Sequence, residues 1–310
     1  MIAVASALVP LSTSAQVEHA AGRILRVGPG EPFPLPSAAA AAAREGDRVV
    51  IAPGRYRDCA VWRVPRVTIE AAPGGEVEIH GPICAGKALF VASAPGLVVA
   101  GLTFRGARAT EGNGAGIRAE GGDLTVRASR FIDNENGILT HRDPTAKLLV
   151  EDSVFQGNGA LRNGRDCAHG IYVGQWARVT IRRSEFRDTQ ACHHIKSRAL
   201  RTDILQSLIE DGPQGRSSYL IDIPSGGDLI LRGSRLIKGP LTGNPVGAVV
   251  IGSERTLNPT RELLIEDNDF ENRMTSVTAF VVNRGEVPAV LNANRLSGPT
   301  RPLLGAGRLR

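Results

Sequence analysis

The sequence is poor in aromatic residues: Phe, Trp and Tyr make up 4% of its 310 residues, so a core must be filled by Val, Leu, Ile and Ala. Several strings that announce common chemistries are missing. No His-Glu-x-x-His occurs, nor any Gly-x-Ser-x-Gly elbow, and the Gly-rich VGPGEPF (27–33) lacks the Lys and Ser/Thr of a nucleotide loop. No organic cofactor is expected. Beyond the N-terminal segment no apolar run approaches the ~20 residues of a membrane span, so no span is expected either. The cationic excess is small, 37 basic against 31 acidic residues, for a formal charge of +6. That balance favours an anionic partner. The basic residues are interleaved with acids and have few aromatics beside them, which argues against a stacking platform for nucleic acid.

The segment MIAVASALVPLSTSA (1–15) has the apolar run and small-x-small ending of an export signal, without the basic start. Cleavage after Ala15 would leave residues 16–310 as a single domain, periplasmic or secreted.

What the chain does have is a repeat. VVAGLTFRGA (98–107), LTVRASRFIDN (124–134), LLVEDSVFQGN (148–158), VTIRRSEFRDT (179–189) and TDILQSLIEDG (202–212) share one pattern, continued by LILRGSRLIKG (229–239), LLIEDNDFENR (263–273) and AVLNANRLSG (289–298). The large apolar residue marks the register: Phe104, Phe131, Phe155, Phe186, Ile209, Leu236, Phe270 and Leu296, in steps of 27, 24, 31, 23, 27, 34 and 26 residues. Each unit holds a short alternating strand, a polar corner and a second short strand. Long helical runs are absent, which excludes a helical solenoid. Propeller blades need about 40 residues and four strands. A parallel β-helix of eight to eleven coils fits, because one coil cannot bury its inner face alone.

A further strand aligns in each coil through Ile117, Ile138, Ile171, Ile195, Ile221 and Val249. If these point inward, strict alternation turns the next residue outward, giving the row Arg118, Leu139, Tyr172, Lys196, Asp222, Val250. Two places on lie Glu120, His141, Gly174, Arg198, Pro224 and Gly252. One place before the inward residue stand Gly116, Gly137, Gly170 and His194, read as a shallow trough beside the charged rows. His169 and His193 share the parity of Ile195, so His193 reads as a core or corner histidine.

With these repeats, residues 22–300 resemble the pectate-lyase-like superfamily of right-handed parallel β-helix proteins. The opening 24–58 is similar to that superfamily's entry, with a capping helix near 36–44 built on SAAAAAARE, a strong local helix former. The resemblance implies an all-β solenoid and an acidic polysaccharide or oligosaccharide as partner. It spans lyases, hydrolases and non-catalytic binding proteins.

Two enzymatic templates bear on the site. AHGIYVG (168–174) and HIKSR (194–198) resemble elements of polygalacturonase-type hydrolases, but the paired Asp residues of those enzymes have no counterpart, and inverting hydrolysis needs two carboxylates ~6.5–9.5 Å apart. β-Elimination instead needs cations to hold a uronate carboxylate, a base for the C5 proton and an acid for O4. The residue types suit that reaction. Lys196 or His194 would act as base, Tyr172 as acid and His169 as reserve proton carrier; Arg198 with Arg118 would grip the carboxylate. His141 and Asp222, with Arg165 and Asp166 on the insertion RNGRD (162–166), would line the substrate. A polysaccharide lyase is the leading expectation; the alternatives are a glycoside hydrolase and a non-catalytic glycan-binding or envelope scaffold. Glu120, Asp143, Asp166 and Asp222 are the oxygen donors that calcium would use. Cys59 and Cys84 lie 25 residues apart, as do Cys167 and Cys192, close to one coil in each case. Stacked on adjacent coils they would be within disulfide reach; the alternative is two unbridged, buried pairs.

Overall fold

The computed structural model describes residues 22–162 and 166–310; the segment 1–15 expected to be an export signal lies outside them. Three long sheets, of twelve, ten and ten strands, are wound by one chain in strict rotation, and every pairing within them is parallel. The ten-stranded sheets set ten full coils, inside the expected range. This is a right-handed parallel β-helix.

The register marks explain the winding. Phe104, Phe131, Phe155, Phe186, Ile209, Leu236, Phe270 and Leu296 pair one to the next without a slip. The Phe131, Phe155 and Phe186 rings stack at 4.6 Å between centroids. A second interior file is equally regular, since Ile117, Ile138, Ile171, Ile195, Ile221 and Val249 are consecutive partners and fully buried. With few aromatics, these stacks make the core a continuous apolar column, and repetition supplies what composition alone does not.

The corner between the first and second strands of a coil is a two-residue device. Its first residue adopts a left-handed conformation, at Ala128, Asp152, Arg183, Gln206, Asp267 and Ala293, with Gly233 in the same place. Its second is a Ser or Asn, buried in every case but Asn294. Ser153 Oγ accepts the backbone N–H of Ser129 at 3.2 Å and donates to the carbonyl of Glu151 at 2.7 Å. Ser184, Ser207 and Ser234 repeat the pattern, and Asn268 and Asn294 continue it. Each corner thereby satisfies a buried amide of the coil before it.

At the N-terminal end the helix Pro36–Ala42 covers the first coil, with Pro36, Ala39 and Ala40 buried. It stops short of 44 because Asp47 takes the backbone N–H of Arg44 at 2.7 Å and pairs with Arg23, pulling the chain into the next strand. Two disulfides brace the edges, Cys59–Cys84 and Cys167–Cys192, with Cα separations of 5.5 and 5.8 Å. The second ties an antiparallel hairpin, Ala160–Arg162 with Asp166–Ala168, to the coil above. No helix among the described residues is long and apolar enough to cross a membrane.

Candidate functional site

The charged strip lies on the outer face of the ten-stranded sheet that carries Ile171–Val173, His193–Ser197 and Tyr219–Ile223. Alternation places Tyr172, Lys196 and Asp222 outward, and parallel pairing stacks them as direct neighbours. Lys196 Nζ lies 3.2 Å from Asp222 Oδ2 and 2.8 Å from Glu254 Oε1. Arg198 meets Glu254 Oε2 at 2.6 Å and donates a short hydrogen bond to the Tyr172 hydroxyl. Its guanidinium sits 5.0 Å from the Tyr172 ring centroid, and Lys196 Nζ 6.0 Å from it. Cation–π attraction and ion pairing therefore hold the same two cations.

Strict alternation fails just before this strip. A Cβ on Gly116 would strike Phe131, and one on Gly137 would strike Phe155, both at 2.7 Å. The glycine file thus faces the core and forms no surface trough. Two successive residues point inward, so the residue before them points outward again. Ala115 accordingly packs with Ala88, Val91, Leu139 and Tyr172, outside the main core.

This bend exchanges the two adjacent histidines. His194, expected as a surface base, is fully buried inside the coil, where Nδ1 pairs with Thr189 Oγ1 at 2.7 Å and Nε2 with Asp211 Oδ1 at 3.0 Å. His193, expected in the core or a corner, faces the outer strip. Its ring stacks between His169 and Tyr219, with centroid distances of 5.0 Å on both sides. Its Nδ1 accepts the Tyr219 backbone N–H, which leaves Nε2 to carry the proton toward Asp222 Oδ2, 3.4 Å away. Burial and the nearby Lys196 push His193 down to about 3. His169 is also held well below the ordinary histidine range by burial, and it is covered rather than exposed. Its Nδ1 accepts the His193 N–H at 3.2 Å, and its ring meets the edge of Tyr172.

The acids are held differently. Burial raises Asp222 above the usual carboxylate range, against the opposing pull of Lys196 and of Ser253, whose hydroxyl donates to it at 2.9 Å. Glu254 would be raised by burial, but hydrogen bonds from Lys196 and Arg198 bring it below its ordinary value. It stands on the loop that follows Gly247–Ile251. Its backbone N–H is tied to the carbonyl of Pro224, and Asn258 farther along donates to the carbonyl of Arg198.

The remaining residues do not all converge. Arg118 lies three coils from Lys196 along the same row, three steps of ~4.8 Å, and cannot share one carboxylate with Arg198. It pairs instead with Glu120, which Lys87 also holds at 2.7 Å. His141 is exposed in the Arg198 file, on the side of Arg118. Arg165 lies outside the described residues; Asp166 opens the second strand of the hairpin, opposite Arg162. The acids named for calcium are also apart: Asp143 is occupied by the backbone N–H groups of Gly122 and Thr145, away from Asp222. Among the described residues no three His, Cys, Asp or Glu side chains gather as a metal site.

Sequence reasoning missed Glu254, Ser253 and Tyr219. Glu254 and Ser253 sit in the longest step of the array, whose 34 residues were the only signal. Tyr219 was hidden by the same parity break as His193.

No family model and no curated protein matches the sequence. Among solved structures the chain is similar to an alginate lyase from Paenibacillus sp. str. FPU-7, with a TM-score of 0.68 at 16% identity, covering 92% of this chain and 99% of that one. It is also similar to a pectin methylesterase from Aspergillus niger, TM-score 0.48 at 9% identity, over 89% of this chain and 85% of the other. A tailspike protein from Acinetobacter baumannii bacteriophage Fri1, a capsular polysaccharide depolymerase, gives 0.40 at 12%, over 93% and 62%. At such identities likeness speaks for architecture alone, and that to the alginate lyase accords with the right-handed parallel β-helix described above.

Proposed function

We propose that this protein is a secreted or periplasmic polysaccharide lyase that cleaves a uronate-containing glycan by β-elimination. The observation that carries this reading is the convergence of Lys196, Arg198 and Tyr172 on one outward strip. The alginate lyase likeness accords with an acidic glycan, and the two disulfides suit an oxidising compartment.

In this mechanism Arg198 faces the substrate carboxylate and stabilises the negative charge that builds on it as the C5–H bond breaks. Lys196, an ammonium in its resting ion pairs, releases one proton to solvent and as the free amine takes the C5 proton. The released electron pair forms the C4–C5 double bond, the C4–O bond breaks, and Tyr172 gives its hydroxyl proton to the departing O4. The ammonium and phenolate left behind are restored by passing one proton back. His194 has no part in these steps, being enclosed in the wall. Arg118 and His141 lie along the strip, where a chain substrate would reach them as neighbouring sugars.

A second reading has an observation of its own. Asp222 and Glu254 both contact Lys196 Nζ, so the contacting oxygens lie no more than ~6 Å apart, which admits the ~5–5.5 Å of a retaining glycosidase pair and falls short of the ~6.5–9.5 Å of an inverting one. Incubation with a panel of acidic glycans separates the readings. Unsaturated ends appearing together with reducing ends establish elimination; reducing ends alone establish hydrolysis. Binding without either makes the strip a recognition surface.

A further inference from the structure

The strip already holds a carboxylate where the proposed substrate would place one. Glu254 spans Lys196 Nζ at 2.8 Å and Arg198 Nη2 at 2.6 Å, one oxygen to each cation. This is how an incoming uronate carboxylate would be held, and it leaves neither cation free toward solvent. The count of charges matters. Lys196 and Arg198 are matched by Asp222 and Glu254, while His169 and His193 are held neutral. A third carboxylate entering this half-buried cluster would be one negative charge in excess.

The two resident acids are not equally movable. Asp222 is buried under Lys196, His193 and Ser253. Glu254 has 41% of its side chain exposed, and among the described residues no hydrogen bond beyond those to the two cations holds its carboxylate. Its backbone is fixed by the Glu254 N–H to Pro224 carbonyl bond at 2.9 Å. Side-chain rotation therefore suffices to clear the seat, with the loop in place.

We propose that Glu254 is a resident mimic of the substrate carboxylate, a gate that admits only ligands whose own carboxylate replaces it on Lys196 and Arg198. The inference rests on the acidic-glycan reading of this site. It adds a specificity rule: a neutral glycan that displaced Glu254 would leave both cations unpaired, whereas a uronate restores the pairing it removes. Glu254 thereby competes with the uronate for the two cations, whereas a neutral glycan leaves it in place and binds without using the seat.

The test is calorimetric titration of wild type, Glu254→Gln and Glu254→Ala with a reduced alginate tetrasaccharide and with its carboxyl-reduced, neutral counterpart. Expected is a drop of about tenfold in Kd for the acidic tetramer in both variants, with the neutral one changing by less than about twofold. Equal acidic binding in the folded variants overturns the gate, and weaker binding both overturns it and makes Glu254 a substrate contact. Turnover measured alongside keeps the two ideas apart. Loss of elimination with tightened acidic binding upholds the gate and assigns Glu254 a second, chemical role. Absence of elimination in the wild type, with tighter binding in the variants, sinks the lyase reading and leaves the gate standing.

Discussion

Arg198 donates to the hydroxyl of Tyr172 across one coil, although 26 residues separate them in the chain. The contact makes Tyr172 an acceptor from a permanent cation, so its own proton is free to point away from Arg198. Phe at position 172 keeps the ring under the guanidinium and removes the hydroxyl. Turnover of Tyr172→Phe on whichever acidic glycan is cleaved is expected to fall by about 10²-fold while substrate binding largely survives. Lys196→Ala is expected to show the same split. Parallel losses of binding and turnover would make the strip a recognition surface, and near-normal activity would return it to a solvated face.

Acid should destabilise the fold before its carboxylates titrate. His193 falls to about 3 in the folded chain against 6.5 when unfolded, and His169 shifts in the same direction. The unfolded state thus binds more protons below 6.5, and the stability from keeping His193 neutral is lost as pH falls toward about 3. Thermal unfolding should show Tm already declining between about pH 7 and about pH 5, with a shallower slope for His193→Gln. An unchanged slope would mean that the ring is not held neutral.

The Cys167–Cys192 bridge closes a 25-residue loop and fastens the hairpin beside the histidine stack. Replacing both with Ala should cost ~2–4 kcal/mol in chemical denaturation, mainly by freeing the unfolded chain. Wild-type protein under reducing conditions should lose stability in the same direction.

Ser184→Ala removes the acceptor of the Ser153 N–H, at a site 1% exposed. The orphaned amide should cost ~1–3 kcal/mol, measured as a shift in the denaturation midpoint. Phe155→Ala, which opens the middle of the ring stack, should cost ~3–5 kcal/mol in the same experiment.

These effects differ in how far the chain announces them. The ring stack was legible because one residue type recurs at one place in every coil, and in-register parallel pairing turns that recurrence into contact. Lys196, Tyr172 and Asp222 were legible for the same reason, being equivalent positions of successive strands. His193 and His194 were not, because counting by twos assumes an unbroken pleat, and Gly137 and Gly170 bend it toward the core. Glu254 was invisible for a different cause. It comes from an irregular excursion with no counterpart in other coils, so no alignment of the repeats brings it near Lys196.

The serine-lined corner has a consequence for how such a molecule can be altered. That corner spans two residues in coil after coil, fixed by a left-handed turn and a buried hydroxyl or amide. From Ala128 onward, departures from uniform coil length are therefore accommodated at the other two corners, and both border the sheet that bears Lys196 and Arg198. Inserted segments accumulate beside the strip by geometric necessity. New loops grafted after Asn158 or after Gly252 would remodel the surroundings of the strip, while the spine opposite keeps the coils in step.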